Sequence, residues 1–168
     1  ASLVEEIVEM NESQGGSDLE ISLDLDRDVL VMADPSQLKA VVWNLWNNAR
    51  EAMESAGCLS VRVRRCFGDG PQGHRSGGRN EQGAEPGLEA MTGATAVLEI
   101  EDTGPGIGAD VQAMIFEPFF TTKRDGTGLG LATVRRIVEQ HSGVIEAVSS
   151  DGGGACFRVS LRCVEVDS

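Results

Sequence analysis

Asn44, Asn47 and Asn48 fall within a short segment, NLWNNAREAM, that otherwise reads as helix. Asn is a poor helix former, so this density needs a reason. Asn44 and Asn48 stand four apart and share one helical face. Carboxamide oxygens so placed can complete the octahedral shell of a Mg²⁺ whose other ligands are phosphate oxygens and water, although a helix with Asn on its wet side is the plainer alternative. A second pattern, Asp102-Thr-Gly104-Pro-Gly106-Ile107-Gly108, follows directly on a strand-like run. A carboxylate at a strand end can accept the exocyclic amino group of a purine, and glycines let backbone approach a flat ring. The same residues are also good turn chemistry. The third pattern, Gly126-Thr127-Gly128-Leu129-Gly130-Leu131, opens a helix. Free N–H groups and the positive end of the helix dipole suit a triphosphate there, although glycines in this spacing also make an ordinary flexible loop. No strand runs straight into it, which argues against a dinucleotide fold, and Lys123 and Arg124 stand just upstream as charge partners for phosphate.

Regular elements must hold these patterns together. Leu3, Val4, Ile7 and Val8 line one face of a short helix over 3–10. LEISLDLD alternates Leu19, Ile21, Leu23 and Leu25 with polar residues, the pattern of a half-buried strand, and a short extended piece follows from Val29 to Met32. Asp34-Pro35-Ser36-Gln37 predicts a helix start, with Asp34 as N-cap and Gln37 reaching back as in a capping box. That helix is expected to run to about Ser55, with Gly57 as its stop and Leu38, Val41, Val42, Leu45, Ala49, Ala52 and Met53 as its apolar stripe. Asn44, Asn48 and Glu51 lie along one flank of the stripe. Strands are expected at 59–64, 96–101, 144–150 and 156–164, and a helix over 131–141 with Ser142-Gly143 as its stop. Residues 67–95 hold eight of the 21 glycines and almost no periodic apolar pattern, so they are expected to be a long flexible hairpin loop inside one domain spanning 1–168.

Composition narrows the function classes. Of the 168 residues 40% are hydrophobic and 24% charged, and no apolar run is long enough to suggest a membrane span. A net charge of −13 disfavours nucleic acid as a partner, because a broad phosphate-binding surface needs clustered Lys and Arg. A small anionic ligand needs only a local cluster of donors. Cys58, Cys66, Cys156 and Cys163 show no metal-ligand spacing and read as small apolar fillers in a reducing cytoplasm. The chain begins at Ala1, which fits a piece of a longer protein.

In order along the chain, NLWNNAREA resembles the N box, DTGPGIG the first glycine box, EPFF the F box and GTGLGLA the second glycine box of the sensor histidine kinase ATP-binding domain. GGGA (152–155) resembles its last glycine box, and the resemblance extends from Leu3 to Val164. It implies the Bergerat fold, an α+β two-layer sandwich with a mixed, mainly antiparallel sheet of about five strands covered on one face by about three helices. It further implies ATP and Mg²⁺ as ligands, with Asn48 and Asn44 at the metal. Asp102 would hold the adenine amino group beside Gly104, Gly106 and Ile107. Thr127, Gly128, Leu129, Gly130 and Leu131 would cradle the phosphates, and Lys123 would reach them from a lid over about 108–127.

In the hydrolysing branches of this superfamily the position of Asn44 carries a Glu that activates water, and a carboxamide cannot accept that proton. In histidine kinases an imidazole is the nucleophile. Neither His74, in the glycine-rich loop, nor His141, at a helix C-terminus where a cation suits the dipole, is expected to supply it. No catalytic residue is therefore assigned within the chain. The resemblance implies a helical dimerisation and phospho-acceptor domain in the same parent, a homodimeric parent, a response-regulator receiver domain as the next acceptor, and a cytoplasmic location under an inner-membrane or soluble parent. An anti-sigma-type serine kinase or another Bergerat-fold ATPase is the alternative. PFFTTK close before GTGLGLA points to the nitrogen-regulation-type branch. Glu51 and Ala155 depart from the common pattern, and neither Glu51 nor the 67–95 insertion has an assigned role.

Overall fold

The computed structural model describes residues 2–12, 18–54, 56–68, 93–123, 126–149 and 153–164. Its elements are α1 (Ser2–Glu12), β1 (Asp18–Leu25), α2 (Pro35–Ala52), β2 (Ala56–Gly68), β3 (Gly93–Asp102), α3 (Gly130–Gln140), β4 (Val144–Ser149) and β5 (Ala155–Arg162). The sheet has five strands in the order β1-β2-β3-β5-β4. Strands β1 and β2 are parallel, as a crossover through α2 requires, and the other pairs are antiparallel.

One parity of the strands faces the helices. Leu59 and Val61 of β2, Ile100 of β3, and Phe157 and Val159 of β5 are buried against Val8 of α1, Val41, Leu45 and Ala49 of α2, and Val134 and Val138 of α3. The stripe on α2 is wider than the sequence pattern suggests, because Trp46 is also buried. Conversely Leu23, expected inward, is exposed; β1 stands at the edge of the sheet, beside β2, among the described residues. The extended piece at 29–32 reduces to a single bridge between Val31 and Cys163. The expected loop at 67–95 lies mostly outside the described residues, and at its margins β2 runs on to Gly68 while β3 begins at Gly93. Of the cysteines, Cys156 is buried and Cys58 is exposed, so the apolar-filler reading holds for the first and fails for the second.

The ends of α2 depart from expectation in two ways. The helix stops at Ala52, with Glu54 in the left-handed region at φ 52°, and Gly57 belongs to β2. At the other end Asp34 Oδ1 does accept from the N–H groups of Ser36 (2.8 Å) and Gln37 (3.3 Å). The N–H of Asp34, however, donates to Nε2 of His141 (3.2 Å), the place a Gln37 side chain would take in a capping box. His141 Nδ1 in turn lies 2.8 Å from the carbonyl oxygen of Ile137, to which it donates. In this arrangement the ring ties the start of α2 to the end of α3.

The face of the sheet turned from the helices carries Asp24, Arg62, Glu99, Arg158 and Glu146 in register across all five strands. Signs alternate along this row, which is the favourable arrangement for directly opposed cross-strand pairs. Glu99 is buried, bonds Arg64, and accepts from Arg158 Nε at 3.0 Å. Burial pushes its carboxyl up, but the two guanidiniums outweigh this and hold it below the usual glutamate value. On the same face burial, with Glu99 and Glu101 nearby, pushes the Cys156 thiol up to about 11.

Candidate functional site

Between the C-terminal half of α2, the end of β3 and the segment that leads into α3 lies a cavity of about 490 Å³. Strand β3 delivers Asp102 as its last residue, only 2% exposed. One oxygen, Oδ1, accepts from the N–H of Gly104 (2.9 Å) and of Ala155 (3.2 Å), which fixes the carboxylate plane. Its Oδ2 makes no hydrogen bond among the described residues and is the acceptor offered to the cavity. The approach that allows this is a backbone one. A Cβ on Gly154 would sit 1.6 Å from the carbonyl oxygen of Asp102, so the last glycine segment can close on β3 only without a side chain there.

Around Asp102 the lining is apolar: Ile107, Val111, Ile115, Phe120, Leu131 and Phe157. Such a slot suits a flat ring held by few polar groups. Residues 108–123 are a chain of turns rather than a helix, held to the body at several points. Gln112 Nε2 donates to the carbonyl of Ala147 (2.7 Å), and the N–H of Phe119 donates to the carbonyl of Gly128 (2.9 Å). Gly128 has φ 66°, and a Cβ there would meet the Phe119 backbone at 2.4 Å, so this crossing also needs glycine. Beyond it α3 starts at Gly130, with no side chain among the described residues capping its first turn, so the positive end of its dipole lies at the cavity wall.

At the opposite end stand the polar side chains of α2. Asn48 and Glu51 line the cavity, and both face Lys123. The Lys123 ammonium donates to Asn48 Oδ1 (2.9 Å) and to Glu51 Oε2 (2.6 Å). Asn44 is placed differently. Its Nδ2 donates to the carbonyl of Ala40 on its own helix (2.7 Å), while its Oδ1 lies against Gly130. Among the described residues no group of three or more His, Cys, Asp or Glu converges as a metal site.

Of the residues singled out from the sequence, the structure thus brings Asn48, Asp102, Gly106, Ile107, Lys123, Gly128, Gly130 and Leu131 to one cavity wall. Asn44, Gly104, Thr127 and Leu129 stand beside it, outside the lining. Arg124 lies outside the described residues. The sequence reading missed the apolar wall of Val111, Ile115, Phe120 and Phe157. Val111 and Ile115 stand four apart, the spacing of one helical turn, and Phe157 has the inward parity of β5, so a signal existed for those three.

Residues 33–165 match the HATPase_c family, described as histidine kinase-, DNA gyrase B- and HSP90-like ATPases. Over 131 residues the chain is 40% identical to the sensor histidine kinase ZraS of Klebsiella oxytoca, a match that covers 78% of this chain and 23% of that protein. It is 36% identical to the sensory histidine kinase/phosphatase NtrB of Rhodobacter capsulatus, covering 77% of this chain and 33% of the relative. Among solved structures, the catalytic domain of histidine kinase ThkA superposes with a TM-score of 0.72 at 26% identity, covering 95% of this chain and 90% of that one. The chain therefore spans about a quarter to a third of the length of these curated relatives.

Proposed function

The chain belongs to the HATPase_c family of histidine kinase-, DNA gyrase B- and HSP90-like ATPases, and from that premise we propose that it is the part of a sensor histidine kinase that binds Mg-ATP and presents the γ-phosphate to a histidine on another domain of its parent. The observation that carries the reading is Asp102, a buried carboxylate with one oxygen fixed by two backbone N–H groups and the other open to an apolar slot. An aminopurine offers the matching donor.

In this reading Asp102 orients the base between Ile107 and the side chains of the turn segment. The uncapped start of α3, with Gly128 and Gly130, faces the phosphates, and Lys123 adds a cationic donor from the lid. Asn48 Oδ1 fits a hard divalent cation, since it is a neutral oxygen already placed 2.9 Å from a positive charge. A bound Mg²⁺ would supply charge neutralisation for the phosphoryl group in transfer. No carboxylate stands at Asn44, and its amide is committed to Ala40, so this chain holds no group there to activate water. Transfer then awaits an imidazole from a helical dimerisation domain of the parent, with a receiver-domain aspartate as the onward acceptor and a homodimeric parent. Among the described residues no helix is long and apolar enough to cross a membrane; a cytoplasmic position for this part belongs to the proposal. The similarity to NtrB supports placement in the nitrogen-regulation-type branch.

Calorimetric titration tests the reading. Wild type should bind ATP, and Asp102→Asn should weaken it about thirtyfold, because the amide sets a donor against a donor. A 6-oxopurine nucleotide such as inosine triphosphate should lose less, since it offers an acceptor in that place. If Asp102→Asn binds ATP as wild type does, the reading fails.

A further inference from the structure

Resting on that nucleotide reading, we propose that Glu51 and Asn48 together form the seat of the divalent cation, and that the lid residue Lys123 and the cation are alternative occupants of it. Two oxygens from α2, one neutral and one anionic, converge on a single positive nitrogen: Asn48 Oδ1 at 2.9 Å and Glu51 Oε2 at 2.6 Å from Lys123 Nζ. They stand three apart on the helix and so project side by side. The ammonium marks the point where their potentials add.

The ion pair alone would not need this arrangement. Lys39 and Glu6 make a pair of the same length, 2.6 Å, on the open surface, with side chains 45% and 52% exposed. Pairs as exposed as Lys123 and Glu51, at 38% and 56%, add little stability. What distinguishes them is the shared carboxamide oxygen at the wall of the nucleotide cavity. A nucleotide-bound divalent cation characteristically takes one or two protein oxygens and completes its shell with phosphates and water. One carboxamide and one carboxylate supply that number.

Charge makes the occupants exclusive. A divalent ion and an ammonium cannot share two oxygens at these distances, since their repulsion at contact is large outside bulk water. Arrival of the cation therefore frees Lys123, whose backbone follows the Phe119–Gly128 crossing and keeps it beside the start of α3. The nearest new anion is the nucleotide phosphate. Glu51 thus holds the lid lysine in reach before the exchange and serves the metal after it, directly or through water.

The test follows free Mn²⁺ by electron paramagnetic resonance with the 168-residue chain. In the presence of ADP, Glu51→Gln should weaken Mn²⁺ binding about tenfold, while ADP still binds in EDTA. With Mn²⁺ alone, Lys123→Met should bind the ion about tenfold more tightly than wild type, and adding Glu51→Gln should remove that gain. A gain in affinity cannot come from a misfolded protein. Mn²⁺ affinities that stay within about twofold across these variants, with ADP binding intact, would overturn the proposal and leave Glu51 as a lid salt bridge. Failure of wild type to bind ADP would instead strike the nucleotide reading, and the Mn²⁺-alone comparison would still decide the seat.

Discussion

The two ends of the cavity are built on different principles. At the end proposed for the base the key group, Asp102, is the last residue of a central strand, 2% exposed, and its geometry is fixed by backbone N–H groups of Gly104 and Ala155. At the end proposed for the phosphates the groups are long side chains, Lys123 and Glu51, 38% and 56% exposed, that meet across the gap between the turn segment and α2. The first is rigid because moving it means moving the sheet. The second can be rearranged by rotating side chains, which costs far less. Under the proposed function, a site that recognises one base and gives up a phosphoryl group gains from this division.

Breaking the rigid end should have the largest effect. Gly154→Val drives a side chain into the Asp102 carbonyl and should lower stability by about 3 kcal/mol in urea denaturation, with nucleotide binding lost along with it. Asp102→Asn should leave the fold in place and cost about 2 kcal/mol of ATP affinity by calorimetry, a loss confined to recognition of the base. A third change separates stability from binding. Glu99 lies on the far face of the sheet, and Glu99→Gln should cost about 1.5 kcal/mol of stability at neutral pH without changing nucleotide affinity. Its folded-state value is depressed, so the stability it contributes is present above the ordinary glutamate value of 4.5 and is lost as pH falls through the folded value. Denaturation curves of wild type and Glu99→Gln should accordingly converge as the pH is lowered below that point. Smallest of all, Lys123→Ala should weaken ATP by about fivefold, leave adenosine binding unaltered, and shift stability by under about 0.5 kcal/mol. An equal loss of adenosine would show that the ends are not independent.

Much of this was legible in the chain itself, and the exceptions share a cause. The helix start at Asp34, the strand alternations and the glycine segments announce themselves because each is a local pattern with its own backbone requirement. Trp46 escaped because an apolar stripe read from spacing alone does not say how wide a groove the neighbouring elements offer. The Gln37 capping box failed because a better placed partner, His141, arrives from 107 positions away. The early end of α2 at Ala52 turned on Glu54 taking a positive φ, a conformation that a non-glycine residue does not advertise.

The sequence by itself singled out Asn48, Asp102 and the Gly128–Leu131 turn as candidates for chemistry, since each stands in a local pattern of carboxamide, carboxylate or glycine. Only the tertiary structure decided how they act together. It brought Lys123 onto Asn48 across 75 positions and gave Glu51 its place beside them. It also aligned five charges from five strands into one row. Local patterns fix what a residue can do through its own backbone, whereas partners so distant in sequence are chosen only when the chain packs.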